Sequence, residues 1–504
     1  TTGDNNVAIG FEALSTEDAH GDNVAVGYQA LKVQDAGADA FSTAVGYQAG
    51  VSVTTGVQNS LFGAFAGDAL TTGQQNVAVG LGSLSAEVAG NYSVAVGRSA
   101  LQKQVNSTST NVYNVAVGFE AGQEITTGNL NTIVGGLAGD AITTGTDNVA
   151  VGYSALSAED AHGLNVAVGS QALRVQNAGA NAYNVGVGYN AGGAITTGIQ
   201  NVLVGGLSGD ALTDADFNVA LGYGALTADT KGSMSVAVGY TALGTQNMTT
   251  ATNTFNVAVG HAAGSAITTG TGHTIIGALA GDALTTATFN TAVGYGTLSA
   301  DTVGNRSTAI GYAALFAQNY TTATDAYNTA VGFHSGVSVT TGIQNTIVGG
   351  LAGDALTDAD NNVAVGYTAL SADTLGSQST AIGYRALRNQ NFTTATSSYN
   401  TAVGFEAGAA VTTGTENTLI GGQAGDAITT GIRNSALGLG ALGSLTEGRS
   451  NTAIGRTALS SDTKGRYNVA VGEDALATQN FTTLTSSYAV AVGYAAGTAV
   501  TTGQ

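Results

Sequence analysis

The sequence predicts an all-β protein, an elongated parallel β-solenoid (β-roll) of about 28 coils of 17–21 residues each. Three observations carry that expectation. A five-residue unit of the kind Asn23-Val24-Ala25-Val26-Gly27 returns 28 times, its glycine running from Gly10 to Gly493. Successive marker glycines stand 17, 19 or 21 residues apart and at no other spacing. The 504 residues also include 75 Gly and no Pro, and a residue without an N–H would interrupt coils that hydrogen-bond above and below. One short period running throughout argues for a single continuous repetitive body over residues 1–504 rather than several globular domains.

Within a coil, the residue three before the marker is always Val, Thr or Ser, and the one immediately before it is Val, Ile, Leu or Phe. Such alternation is strand periodicity, with residues two apart on the same side. A second apolar pair follows, as in Tyr28-Gln29-Ala30-Leu31, and then a polar turn such as Thr54-Thr55-Gly56. Two short strands and two turns per coil are therefore expected. Ser15-Thr16-Glu17-Asp18 and Ser157-Ala158-Glu159-Asp160 have the form of capping boxes closed by Gly21 and Gly163, which predicts short helical turns there. Stacked at ~4.8 Å, the coils would reach on the order of 130 Å.

Three 17-residue coils followed by one long coil give a higher period of 70–72 residues, four coils, with one extra short coil between Gly404 and Gly493. The residue two before the marker is Ala in 21 copies, and Leu or Ile once per higher period, at Leu61, Ile133, Leu203, Ile275, Ile347 and Leu419. Where it is large, the residue after the marker is small, as at Ala64 and Gly136; elsewhere that place is usually Tyr or Phe. This exchange of large for small suggests close packing. If the Val side fills each coil, the flat Ala side needs a second chain to cover it, and a three-fold bundle of identical solenoids, a homotrimer, meets that need.

Composition narrows the partners. Thirteen Lys+Arg against 33 Asp+Glu leave a formal charge of −20, which opposes nucleic acid and acidic membrane surfaces. No apolar run is long enough to cross a bilayer, so no membrane insertion is expected of this segment. The first residues, Thr1-Thr2-Gly3, and the last, Thr501-Thr502-Gly503-Gln504, suggest a segment of a longer chain.

The motif Asn-Val-Ala-Val-Gly, with Asn-Thr-Ala-Ile-Gly at Asn451 to Gly455 and Ser-Thr-Ala-Ile-Gly at Ser379 to Gly383, resembles the head repeats of YadA-type trimeric autotransporter adhesins. It is also similar to repeats of trimeric phage tail-fibre proteins that carry a C-terminal self-cleaving chaperone. The resemblance covers essentially all the coils. It implies a left-handed parallel β-roll three chains wide that holds or forms a receptor-binding surface outside the cell or virion. The 17-residue coil departs from the shorter coil of the adhesin heads, and neither a membrane anchor nor a chaperone is present in these residues.

Candidate chemistry is sparse. Asn leads 21 strands and Ser five more, which predicts a ladder of amides along one corner. Asp68, Asp140, Asp210, Asp282, Asp354 and Asp426 recur every four coils in Gly-Asp-Ala, a turn role at spacings too wide to share an ion. No cofactor is expected; the one metal considered is Ca²⁺, at Asp210 with Asp214 and Asp216 or at Asp354 with Asp358 and Asp360, where the EF-hand glycine and terminal glutamate are missing. Gly438-Leu439-Gly440-Ala441-Leu442-Gly443 matches a dinucleotide fingerprint only as a string, because no strand-helix-strand unit surrounds it. The five histidines, His20, His162, His261, His273 and His334, are read as scattered over coil positions without a repeated carboxylate partner, so neither a catalytic triad nor a zinc site is expected and the protein is not read as an enzyme. The long-coil inserts are the candidate ligand contacts. Each places one large apolar residue, Met248, Tyr320, Phe392 or Phe481, among amides and hydroxyls, a mixture suited to sugars. The expected role is a structural fibre of an extracellular or viral appendage, phage tail-fibre-like and with some part in receptor attachment. The alternative is the head of a bacterial trimeric surface adhesin that binds host matrix or glycan.

Overall fold

The computed structural model describes residues 3–17 and 20–503. The described residues contain no helix and form a parallel β-solenoid of about 28 coils. The chain divides into two compact units, Thr1–Phe255 and Asn256–Gln504, with fourteen marker strands in each.

Every marker strand is three residues long and pairs in parallel with like positions of the neighbouring coil. In the first unit Val77, Ala78 and Val79 stand opposite Val94, Ala95 and Val96. In the second, Thr346, Ile347 and Val348 stand opposite Val363, Ala364 and Val365. The expected second strand is absent from most coils. Gln29 and Leu31, in the second apolar stretch, have φ of 55° and 48°, so alternate residues there are left-handed and the chain turns instead of extending. Two-residue strand pairs occur beside the 21-residue coils, for example Gly232–Ser233 with Thr252–Asn253. The predicted helical turns are also absent. At Glu159 the segment is irregular, and the carboxylate faces inward and accepts the His162 N–H at 3.2 Å. Asp18, in the other predicted cap, lies outside the described residues.

The two faces of the marker strand are the reverse of the expectation. From the second strand onward the middle residue is buried, Ala25 and Ala44 completely, while the flanking Val, Thr and Ile are half-buried or exposed. The reason is volume. The coil is so narrow that the strand faces the buried residue four places after the marker, which is Leu31, Leu84 or Leu101 in some coils and Gly50, Gly67 or Gly122 in others. Ala fits opposite Leu. Where two successive coils carry Gly there, one Leu or Ile at the strand centre fills both spaces: a Cβ on Gly50 would lie 2.6 Å from Leu61 Cδ1, and one on Gly67 would lie 2.9 Å from Leu61 Cδ2. The size exchange is therefore between the strand centre and this inner Gly or Leu. The residue after the marker, by contrast, points outward, with Tyr28 40% and Tyr312 49% exposed.

Asn side chains bind the stack from inside. Asn131 N–H donates to Asn114 Oδ1 at 2.9 Å, and Asn131 Nδ2 donates to the Gly145 carbonyl at 2.9 Å. The same pair of bonds recurs at Asn76, Asn345 and Asn434. These amides are fully buried, so each bond replaces one that water would otherwise make.

Candidate functional site

Seven places after the marker the side chain again points inward, and here the four-coil period acquires chemistry. Two successive coils carry an aliphatic residue, such as Ile125 and Ile142; the next carries an acid and the one after it a Gln. The acid and the Gln are buried, as Glu87 with Gln104, Asp301 with Gln318 and Asp373 with Gln390. Gln Nε2 donates to the acid at 2.8 Å for Glu87, 2.5 Å for Asp229, 2.6 Å for Asp301 and 2.6 Å for Asp373. The glycine three residues on gives the same carboxylate its N–H, as Gly304 does at 2.9 Å. Burial pushes the Asp301 carboxyl above the usual Asp range, against the opposing effect of these donors.

The candidate insert residues complete this interior network. Met248, Tyr320, Phe392 and Phe481 are 5%, 4%, 6% and 7% exposed, so the structure does not bring them to the surface as ligand contacts. They cover the acid from the long coil. The N–H groups of Met248, Phe392 and Phe481 donate to Asp229, Asp373 and Asp462 at 3.0, 3.1 and 3.1 Å, and Tyr320 Oη donates to the Gly342 carbonyl at 2.7 Å. Burial raises the Tyr320 phenol above its ordinary value.

Two acid coils depart from this arrangement, and they are the two followed by 19-residue coils. Glu17 and Glu159 occupy the acid place, with His20 and His162 three residues later where the other coils carry Gly. The reading of scattered histidines thus fails for this pair, which shares one coil position and a carboxylate partner. His20 Nδ1 lies 3.9 Å from Glu17 Oε1, and His162 Nδ1 lies 3.7 Å from Glu159 Oε1. Burial pushes the Glu159 carboxyl up to about 7. The sequence signal is Glu-Asp-Ala-His in the coil before each 19-residue spacing, a string that also has the form of a helix cap.

His273 stands in the Asn ladder. Its Nε2 lies 2.8 Å from the Ala287 carbonyl, and its Nδ1 accepts the Asn290 N–H at 3.2 Å. This geometry requires the neutral ring with its proton on Nε2, and burial holds the imidazole down at about 4. Stability from this group is present above the ordinary value of 6.5 and is lost as pH falls from there through 4. The loss is about 1.4 kcal/mol per pH unit within that window, about 3 kcal/mol in all. His273→Asn restores the ladder residue, so its stability relative to the parent is expected to rise by that amount between neutral and acid pH. Parallel urea titrations of both proteins check this, and a stability difference independent of pH would contradict it.

Outside, aromatic residues after the marker stack along the coils. Phe11, Tyr28 and Tyr47 have ring centroids 5.4 and 5.1 Å apart, and Tyr295, Tyr312 and Phe333 have centroids 5.5 and 5.4 Å apart. A second outward column, five before the marker, holds left-handed residues including Tyr92 and Tyr113, whose rings stack at 5.0 Å. The candidate calcium carboxylates are engaged separately: Asp216 accepts the Ile199 N–H, Asp214 pairs with Lys231, and Asp360 accepts the Ile343 N–H. Among the described residues neither set is drawn into one cluster of metal-binding atoms. In the recurrent Asp column, burial raises the carboxyls of Asp68, Asp140, Asp354 and Asp426, while Asp282 accepts a bond from Ser299 at 2.6 Å. No described helix is long and apolar enough to cross a membrane.

Comparison with known protein families finds no model that matches this chain, and no curated protein sequence matches it significantly.

Proposed function

We propose that this chain is the structural shaft of a homotrimeric fibre in an extracellular or viral appendage of the phage tail-fibre kind, without catalytic activity. The observation that carries this is the outward face of the marker strands. In all 28 copies the two outward positions are uncharged, almost always Val, Thr, Ile or Leu, on a chain with a formal charge of −20. Val79, Ile276, Ile310 and Leu437 remain 36–48% exposed there. Contiguous apolar surface marks an association face. A partner that covers it coil by coil has to repeat at the same spacing, which a second copy of this chain does. Association thus falls to the Val face, the Ala face being internal.

Sedimentation equilibrium is expected to give three times the chain mass of 49.4 kDa. Val151→Asp with Val365→Asp, one outward position in each unit, is expected to yield single chains with unchanged circular dichroism. A parent that sediments as one chain at micromolar concentration refutes the trimer.

The exposed aromatic stacks favour attachment as a second role, in the manner of an adhesin head. Aromatic faces pack against the apolar faces of sugar rings, and Tyr295, Tyr312 and Phe333 are 52%, 49% and 54% exposed. Glycan-array binding that disappears in Tyr312→Ala supports that role, and an array without signal counts against it.

A further inference from the structure

We infer that the two Glu-x-x-His coils are metal sites, in which Glu17, His20 and Asp35, and separately Glu159, Asp160 and His162, bind a divalent transition-metal ion of the Zn²⁺ type. In each group one donor atom from every residue lies within 4.8 Å of the others. The two glutamates are interior, with side chains 2% and 0% exposed, whereas His20 and His162 are 31% and 30% exposed and lie between them and solvent.

The second observation is that these buried donors have no partner. Glu17 Oε2, His20 Nδ1, Glu159 Oε2 and His162 Nδ1 are all buried atoms without a hydrogen bond. An unsatisfied carboxylate oxygen in a dry interior is costly, and here the same two atoms are left open twice in one chain. Elsewhere the fold satisfies this acid fully. Glu87 receives N–H bonds from Val88, Gly90 and Asn106 at 2.9, 2.8 and 3.0 Å and side-chain bonds from Gln104 and Asn106 at 2.8 and 2.9 Å.

The following coil has been altered in step. Gln34 and Gln176 occupy the place of the Gln that elsewhere donates to the acid, yet they donate to the Gly56 carbonyl at 3.1 Å and to Asn165 Oδ1 at 3.3 Å. The place held by Asn106 or by the covering Met, Tyr or Phe in the 21-residue coils is taken by Ala36 and Ala178. Donor and lid are thus withdrawn where the histidine enters, leaving a buried carboxylate within 4 Å of a partly exposed imidazole. Imidazole with carboxylates is a borderline donor set suited to Zn²⁺ rather than to Ca²⁺ or Mg²⁺, which take oxygen ligands. Water can complete the coordination from the exposed side.

The test uses the full chain, stripped with chelator and dialysed against Zn²⁺, with bound metal measured by elemental analysis and calorimetry. The parent is expected to hold two zinc ions per chain, Glu159→Gln one, and Glu17→Gln with Glu159→Gln none. His162→Asn, at a half-exposed side chain that does not support the coil, is expected to match Glu159→Gln even if the latter folds poorly. His334→Asn, a histidine outside both groups, is expected to keep both ions. Absence of binding by the parent at micromolar zinc overturns the inference, as does a stoichiometry unchanged in His162→Asn or full displacement by excess Ca²⁺.

Discussion

Gly294→Ala is expected to break the stack. The marker glycine has a φ of 130°, and an added Cβ would lie 2.3 Å from the carbonyl oxygen of Gly311 and 2.7 Å from its carbon. Those atoms are backbone of the adjacent coil and cannot rotate aside. Relief requires the coils to separate, with loss of bonds such as Gly294 N–H to the Ile276 carbonyl and Gly311 N–H to the Val293 carbonyl, both 2.7 Å. The penalty is expected to exceed about 4 kcal/mol, in the range reserved for specific structural failure. Because each coil touches mainly its neighbours, amide exchange should quicken first near positions 294 and 311 and spread from there. Gly179→Ala is the control. It has a φ of 70° with nothing within 4 Å of the added carbon, so only the conformational cost of roughly 1 kcal/mol applies. Equal midpoints for the two variants would refute the steric account.

Asp301→Ala should be nearly as damaging, for an electrostatic reason. The carboxylate receives Gln318 Nε2 at 2.6 Å and the Gly304 N–H at 2.9 Å, and Gln318 in turn holds Ser307 at 3.0 Å and Asn328 at 2.9 Å. Removing the acid leaves buried donors unpaired and loosens the lid formed by Tyr320, for an expected loss of about 3–5 kcal/mol. Asp301→Asn keeps one acceptor oxygen and resembles the protonated acid, so it should lose less than half as much. Since burial raises this carboxyl, the stability it contributes is fully present below the ordinary Asp value and declines as pH rises through the raised one. The gap between Asp301→Asn and the parent should therefore narrow with rising pH in chemical denaturation. A gap that widens would show that the charged form is the favoured one.

Much of the fold was legible because the period is written in residues the backbone demands. Marker glycines, the absence of proline and the leading Asn together specify a parallel coil with an amide ladder, and each has its structural counterpart at Gly294, Asn131 and their equivalents. What alternation cannot disclose is which side of a three-residue strand is inside. Val24 and Val26 are more apolar than Ala25, and hydrophobicity alone would put them in the core. The narrow coil instead selects for size, since Leu31 already occupies the space opposite. Gln104 and Asp301 were hidden for a related reason: polar residues in a turn read as solvated, and only their inward direction makes each one half of a buried pair, Gln104 with Glu87 and Asp301 with Gln318. His20 and His162 share a place only when counted from the marker glycine, which separates them from His261, His273 and His334.

The interior sequence of two Gly coils followed by two Leu coils has a consequence for how such a chain changes length over generations. The backbone register repeats identically from one coil to the next, so hydrogen bonding alone would accept the gain or loss of any single coil. Side-chain volume would not, because Leu61 needs the glycines on both sides of it and Gln104 needs an acid beneath. Recombination between repeats is therefore tolerated in steps of one whole block, 70 or 72 residues. The coil at Gly438 shows the condition for a smaller step: Leu442 matches Leu459 of the coil that follows, and Leu445 matches Ile428 of the coil before. Such a hybrid splices two unlike neighbours, whereas every other increment has to copy the full block, making the gene a ruler graduated in fours.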